Sequence, residues 1–465
     1  MPVEALSRSR PKESEIAQVQ NNSQSRGHVV VVGCGIAGAA AANRLHRKGF
    51  DVTVLEAEQR IGGRTSTRHQ DGFKIDLAAS MLLTSYKRTV ELIAEQHWES
   101  HFEPAAEVIG VERAGRIHHI RASKPLGALT TGLLSPRAKA RLGVVAKDVI
   151  KHRKMLDWQN PVVAADLHYG DVREFADVRV RSAELRDYLI DPACRFLGLS
   201  SLQDTSAVDF LLLAKNMGKT ELFNSAAGID TLVRLLVSDA KVETEAVVTA
   251  VEEDAGGVTV SWGRGGGQSR DITADACVIA VPGPPAAQLY PQMGGQRAAI
   301  LNSVVYAPAL NVYVGVDVPP AEPSALVLIP HVDYPDLACV ILDHNNTTGR
   351  TPPGKGLISS YWHKDWATEH WDDSDDDIVG AALPQIERLL PDSTGNITTV
   401  HVQRWKHALV TGPVSRYRDL ERFKSLTPPA SRVRFAGDAV SSSTINSCLC
   451  SGERAADEVM TAIAR

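Results

Sequence analysis

The chain opens its ordered pattern with an unbroken apolar run, Val29 to Val32, then a small-residue stretch through Leu45, then a second apolar run at Val52, Val54 and Leu55. A continuous β-branched run ending in glycine is the pattern of a parallel strand buried on both faces. Ala37 and Ala39 to Ala42 are good helix formers, and Gly49 is a natural terminator. This predicts strand, helix, strand. Residues 86–225 change to helical periodicity, with helices predicted at 86–96, 135–154, 182–196 and 206–216 and breaks at Asp191-Pro192 and Gly198. Another helix is predicted to start near Gly228. Strand patterns return at 245–252, 258–262 and 276–281, with turns at Gly256-Gly257 and 263–267. Alternating, β-branched and aromatic stretches at 310–316, 324–329, 338–342 and 357–362 predict an antiparallel sheet. A helix at 378–390, a last strand at 433–438 and a helix at 444–463 complete the series.

Between the first strand and helix, Gly33, Gly35 and Gly38 fit G-x-G-x-x-G. Gly33 permits the tight turn, Gly35 lets the backbone approach a pyrophosphate, and Gly38 lets the helix pack closely on the sheet. The free N–H groups at the helix start, at the positive end of its dipole, suit a diphosphate. Glu56 ends the second strand 18 residues after Gly38, where a carboxylate accepts hydrogen bonds from a ribose diol. An acid at that position disfavours a 2′-phosphate. The expected ligand is an ADP-containing dinucleotide, and the expected fold class is α/β.

A chain of 465 residues exceeds one ordinary domain, so two or three are expected. The net charge of −5 comes without any basic stripe, which removes nucleic acid as a partner. No apolar run reaches the roughly 18 residues needed to span a bilayer. Residues 1–26 are polar and lack the apolar core of a secretory signal, and they read as a disordered leader. The six cysteines, at 34, 194, 277, 339, 448 and 450, show no C-x-x-C pairing and point to free thiols in a reducing cytoplasm. Tyr361, Trp362, Trp366 and Trp371 surround His363 and His370, but the spacing does not converge on a metal, and no metal site is expected. Trp362 and Trp366, four apart, read as a packing contact, and the acidic run 372–377 reads as a solvated helix start.

Gly62-Gly63-Arg64-Thr65 extends the nucleotide pattern, and from here the chain resembles the flavin-containing amine oxidase superfamily, which also holds protoporphyrinogen oxidase and the phytoene desaturases. The resemblance runs over roughly 27–465. It implies noncovalent FAD, with Gly63, Arg64 and Thr65 on the diphosphate; the planar fork of Arg64 suits phosphate oxygens. Asp76 followed by Ala78-Ala79-Ser80-Met81 resembles the segment under the isoalloxazine, with alanine where the family usually has one glycine. Val248 resembles the strand that pairs with the adenine edge. Phe435-Ala436-Gly437-Asp438 and Ser451-Gly452-Glu453-Arg454-Ala455-Ala456 resemble the family's closing signature. There Asp438 is implied to lie near the ribityl hydroxyls, and Thr444 and Ile445 to open a helix aimed at flavin O2. Within that helix Asn446-Ser447-Cys448 stands where many members have Glu-Gly-Ala. With the first loop, the implied cofactor set is Gly33, Gly35, Ile36, Ala37, Gly38, Glu56, Ala57, Gly63, Arg64, Thr65, Ala79, Ser80, Met81, Val248, Gly437, Asp438, Thr444 and Ile445. The implied architecture is a Rossmann-type, glutathione-reductase-like FAD-binding domain from 27–85, 226–285 and 396–465. A discontinuous α+β substrate domain from 86–225 and 286–395 accompanies it.

Two departures bear on the reaction. Monoamine-oxidase-like members carry a lysine that holds a water near flavin N5 on the strand matching 309–316, where this chain has Asn311. The two aromatics that line their amine path correspond to Leu409 or Val410 and to Thr444. Arg404-Trp405-Lys406-His407-Ala408, and Asp191-Pro192-Ala193-Cys194-Arg195 with Ser206-Ala207, resemble the protoporphyrinogen-oxidase and desaturase branch instead. The expectation is hydride removal from a C–H bond of a fairly large apolar substrate to flavin N5, with O2 or a quinone as acceptor. Amine oxidation at a C–N bond, and flavin-assisted isomerisation or cyclisation without net oxidation, are the alternatives. A flavin-free binding protein of the Rab escort type is disfavoured by Glu56, Arg64 and Asp438. His407 and Lys406 are the catalytic candidates, and Asn311 is a candidate to orient substrate or water. Monomer or homodimer and peripheral membrane contact are both compatible with the pattern.

Overall fold

The computed structural model describes residues 25–121, 127–216, 220–265 and 267–465, so the expected leader lies outside the described residues except for its last two. Three distant stretches of chain meet in one five-stranded parallel sheet. Its order is Lys241–Glu243, Asp51–Leu55, His28–Val32, Ala276–Ile279 and Val433–Phe435. Val29, Val30 and Val31 are fully buried at its centre, as an apolar run covered on both faces must be. Helices Ile36–His46 and Ile445–Ile463 cover one face. They approach so closely that a Cβ on Gly452 would lie 2.0 Å from the carbonyl oxygen of Ala37. The other face packs against an antiparallel meander of Val247–Glu253, Val258–Gly263 and Arg270–Ala274.

A seven-stranded, largely antiparallel sheet forms the second layer system. Its order is Ile397–Val410, Tyr306–Val316, Gly356–Trp362, Leu337–Leu342, Leu326–Leu328, Val108–Arg113 and Arg116–Arg121. The strand Ile397–Val410 pairs with Tyr306–Val316 over nearly its whole length. This sheet therefore runs on to Val410, past the 395 boundary set from the sequence. The hairpin 108–121 also joins it from within a region that reads mostly helical, because Val108–Arg113 finds a parallel partner in Leu326–Leu328, far along the chain. Helix Asp375–Leu389 starts from a Ser374 cap, with Asp375, Asp376 and Asp377 in its first turn, where negative charge suits the helix dipole. Trp362 and Trp366 stack at 4.2 Å between ring centroids inside the second core.

The helical insert contains Pro136–His152 and Ala207–Asn216. The helix expected at 182–196 is instead a relay: Ala183–Leu185, wide π-type turns at Arg186–Ile190, then Asp191–Gly198. Pro192 has no N–H to donate, and the widened turns accommodate that break.

Candidate cofactor and reaction site

The glycines of the first loop have different reasons to be glycine. Gly33 has φ +95°, and a Cβ there would meet Ala280 O at 2.9 Å; a Cβ on Gly38 would meet Gly33 O at 1.9 Å. Both are dictated by the protein's own packing. Gly35 is not. Its φ of −74° suits any residue, and the nearest atom to a Cβ would be Gly62 O, 3.8 Å away. Gly63 faces the same space, with Gly35 Cα the nearest atom at 3.7 Å. A slot kept clear of side chains at the mouth of helix Ile36–His46 fits a group from outside the chain, and its donors fit a diphosphate. Ile36 and Ala37, in the first turn, are buried behind it.

The residues read from the sequence converge on that slot. Gly62 N donates to Cys34 O at 2.8 Å, which brings the second glycine segment against the first. The turn Gly63–Thr65 carries Arg64, whose carbonyl accepts from Ala79 N at 3.0 Å. Glu56 is buried. Its Oε2 accepts from Cys34 N at 2.7 Å and its Oε1 from Glu58 N at 2.9 Å, and burial pushes its carboxyl above the usual range. Ala57, next to it, is exposed. Ala246 N donates to Glu56 O at 2.8 Å, which carries the strand of Val248 to the same end. A Cβ on Gly437 would lie 4.0 Å from that of Ala37, so the closing signature meets the opening one.

Arg64 is placed differently from the expectation of a fork free for phosphate. Its Nη1 and Nη2 donate to Asp438 Oδ2 and Oδ1 at 2.5 and 3.2 Å, and Nη1 also donates to Ala408 O at 2.9 Å. The Asp438 carboxylate is buried and requires a cation beside it. Burial alone would raise its pKa. The charges of Arg64 and Arg416 outweigh that and hold it below the usual range. Tyr306 completes the group: its hydroxyl donates to Asp438 Oδ1 at 3.2 Å and accepts from Gly283 N at 3.1 Å.

The segment 77–80 is tied down by its carbonyls. Leu77 O accepts from Asn311 Nδ2 at 3.1 Å and Trp405 Nε1 at 2.9 Å; Ala78 O accepts from Tyr361 Oη at 3.1 Å. Ser80 O accepts from Asn224 Nδ2 at 2.7 Å and Asn346 Nδ2 at 3.1 Å. Ser80 and Met81 are buried and Ala79 half-buried. Asn311 is thus an enclosed tether of this segment. His407 packs its ring on Tyr306 at 5.1 Å, and burial followed by the charges of Lys406 and Arg64 lowers its pKa. Lys406 is exposed. The three catalytic candidates therefore do not form one cluster.

The helix Ile445–Ile463 starts from Thr444, whose hydroxyl accepts from Ser447 N at 3.1 Å. Ser447, standing where glycine is common, is absorbed by donating from its own hydroxyl to Trp158 O at 2.5 Å. In front of this helix start lies a cavity of about 70 Å³ walled by Trp158, Asp209, Val410, Arg416, Tyr417 and Thr444 and by the Ser441–Ser443 turn. Arg416 Nη2 is committed to the carbonyls of Asp438, Ala439 and Ser441 at 2.5, 2.8 and 3.1 Å. Asp209 accepts from the Tyr417 hydroxyl, and burial raises its pKa to about 6. A Cβ on Gly412 would lie 2.0 Å from Asp209 Oδ2, so glycine there leaves the carboxylate its room. Sequence reading missed Tyr306, Asp209, Arg416 and Tyr417. None belongs to a motif, and each is joined to the site by contacts across the chain.

The parallel sheet, the glycine slot and the capped closing helix define an FAD-dependent oxidoreductase. The sequence matches the model of the family described as "Flavin containing amine oxidoreductase" over residues 36–460, and the chain belongs to that family. Over 94 residues it is 44% identical to amine oxidase [flavin-containing] B of Homo sapiens, covering 20% of this chain and 17% of that protein. Over 69 residues it is 49% identical to probable polyamine oxidase 4 of Arabidopsis thaliana, covering 15% and 14%. These matches span less than a fifth of the length of those relatives. Solved structures share the fold over most of the chain. Cyclohexylamine oxidase from Brevibacterium oxydans gives a TM-score of 0.71 at 19% identity, covering 94% of this chain and 100% of that one. A protein described as a putative protoporphyrinogen oxidase from Exiguobacterium gives 0.70 at 17%, covering 94% and 99%. FAD is the cofactor of the family. No helix among the described residues is long and apolar enough to cross a membrane.

Proposed function

We propose that the chain oxidises a substrate with a polar head at a C–H bond beside that head, an amine being the first class to test, in the cavity between Val410 and Thr444. The carrying observation is the polar lining of that cavity, in which Asp209 stands among hydroxyl groups at the helix start. Bound FAD, held noncovalently, supplies the two-electron acceptor. Gly35, Gly63 and the first turn of helix Ile36–His46 hold its diphosphate, Glu56 its ribose, and the strand of Val248 its adenine edge. Gly437, Asp438, Thr444 and Ile445 line its distal half. Asn311, with Trp405 and Tyr361, would keep the 77–80 segment rigid against the cofactor.

Asp209 takes the proton that a substrate head or water must lose, and Tyr417 orients its carboxyl. Trp158 and Val410 exclude water from one side. The fairly large apolar substrate expected from the sequence remains the second reading; its support is the absence of an aromatic pair at Val410 and Thr444. O2 or a quinone takes the electrons afterwards, and a cytoplasmic monomer or homodimer suits the free cysteines. The test is anaerobic bleaching of the bound flavin against amines, porphyrinogens and polyenes, with product mass measured. A mass loss of two hydrogens with an amine supports the proposal. Bleaching only by polyenes supports the second reading, and product of unchanged mass supports isomerisation over both.

A further inference from the structure

A larger cavity, about 230 Å³, lies on the other side of the segment 199–205. Ser201, Leu202 and Gln203 face it, whereas Ser200 and Thr205 face the cavity at the helix start. Its floor is the helix Asp191–Gly198, which presents Asp191 and Arg195 four residues apart on one face, together with His363 at the cap of Lys364–Glu369. Its mouth is exposed at Arg173, Gln203 and Val332.

Most of the charge here is already matched. Arg186 donates to Asp187 at 2.7 and 3.2 Å and to Asp177 at 2.6 Å, and Arg173 donates to Asp177 at 2.6 Å. Asp191 accepts from His331 N at 2.8 Å. Arg195 is the exception, attracted by Asp191 and Asp336 only from beyond ion-pair distance. It is 1% exposed, its Nη2 donates to Pro335 O at 2.8 Å, and its Nε and Nη1 have no hydrogen-bond partner among the described residues. A buried guanidinium with two idle donors is costly unless an anion completes it. His363 beside it is already committed, its Nδ1 accepting from Asp365 N at 3.3 Å and its Nε2 lying 3.3 Å from Ser201 Oγ.

We propose that this cavity is a binding site for a small organic carboxylate, held by Arg195 and separate from the reaction site. The carboxylates of Asp187 and Asp191 in the wall disfavour a doubly charged phosphate, and the recessed floor favours a small molecule. The proposal does not rest on the reaction proposed above.

The full FAD-loaded chain is titrated with acetate, propionate, benzoate and inorganic phosphate by calorimetry, with Tm followed in parallel. Saturable binding of at least one carboxylate is expected, with phosphate at least about tenfold weaker. Arg195→Met is expected to weaken it about tenfold or more. Val332→Trp, at the exposed mouth and away from the floor, is expected to weaken it similarly while FAD content stays unchanged, and it decides the matter should Arg195→Met fail to fold. No saturable carboxylate binding, phosphate binding more tightly than the carboxylates, or unchanged affinity in Val332→Trp would overturn the assignment.

Discussion

At the nucleotide end, the chain approaches itself so closely that side chains have no room; at the helix-start end, polar side chains fill the space and answer one another. Gly38 and Gly452 are the extreme of the first kind, with absent Cβ atoms that would sit 1.9 and 2.0 Å from backbone oxygens. The second kind is built from Arg64 with Asp438, Tyr417 with Asp209, and Ser447 with Trp158. The approach at Gly38 is local, to Gly33, whereas that at Gly452 reaches across the chain to Ala37. The polar end depends on pairs separated by 374, 208 and 289 positions.

The largest expected effect breaks the first region. Gly452→Val drives a side chain into the backbone of Ala37, and a loss of about 3 kcal/mol or more is expected from overpacking that cannot relax, read as a fall in Tm. Gly35→Ala is its counterpart. No atom of the chain obstructs it, so the unfolding free energy of flavin-free protein is expected to stay within about 1 kcal/mol of wild type while FAD retention falls sharply. Equal damage from the two substitutions would erase the distinction between packing glycines and slot glycines.

Asp209→Asn probes the other region. Loss of a positioned base is expected to cut kcat/KM on the order of 10²-fold with whichever substrate bleaches the flavin. The sign with pH is fixed by burial, which raises Asp209 to about 6. It is protonated below that value and a base above it, so wild-type kcat/KM falls as pH drops through about 6, and the variant loses that limb. A limb unchanged in Asp209→Asn assigns the titration elsewhere. Thr444→Val is the smallest: losing one helix cap costs about 1 kcal/mol, seen in chemical denaturation.

How much could be read in advance follows the same division. Val29–Val32, the three glycines and Glu56 lie within one stretch of about thirty residues, where turn, helix and strand chemistry is local, and the structure brings them together. Gly62 to Thr65 and Gly437-Asp438 were legible through motif resemblance, and both reach the slot. Arg64 was legible by residue type and motif, but its pairing with a carboxylate hundreds of residues away was not. Asp209 and Tyr417 sit in ordinary helix patterns, and nothing in either neighbourhood says that the two meet. The strand Ile397–Val410 was hidden for the same reason, since its identity as a strand is set by pairing with Tyr306–Val316.

The central claim is that Gly35 is glycine for the sake of FAD and not for the fold. The direct measurement is the FAD-to-protein ratio of wild type and Gly35→Ala after saturation with FAD and removal of the excess, with circular dichroism on the same samples. The account expects one FAD per wild-type chain and little on the variant, with matching spectra of secondary structure. A colourless wild type, or full flavin on Gly35→Ala, would contradict it.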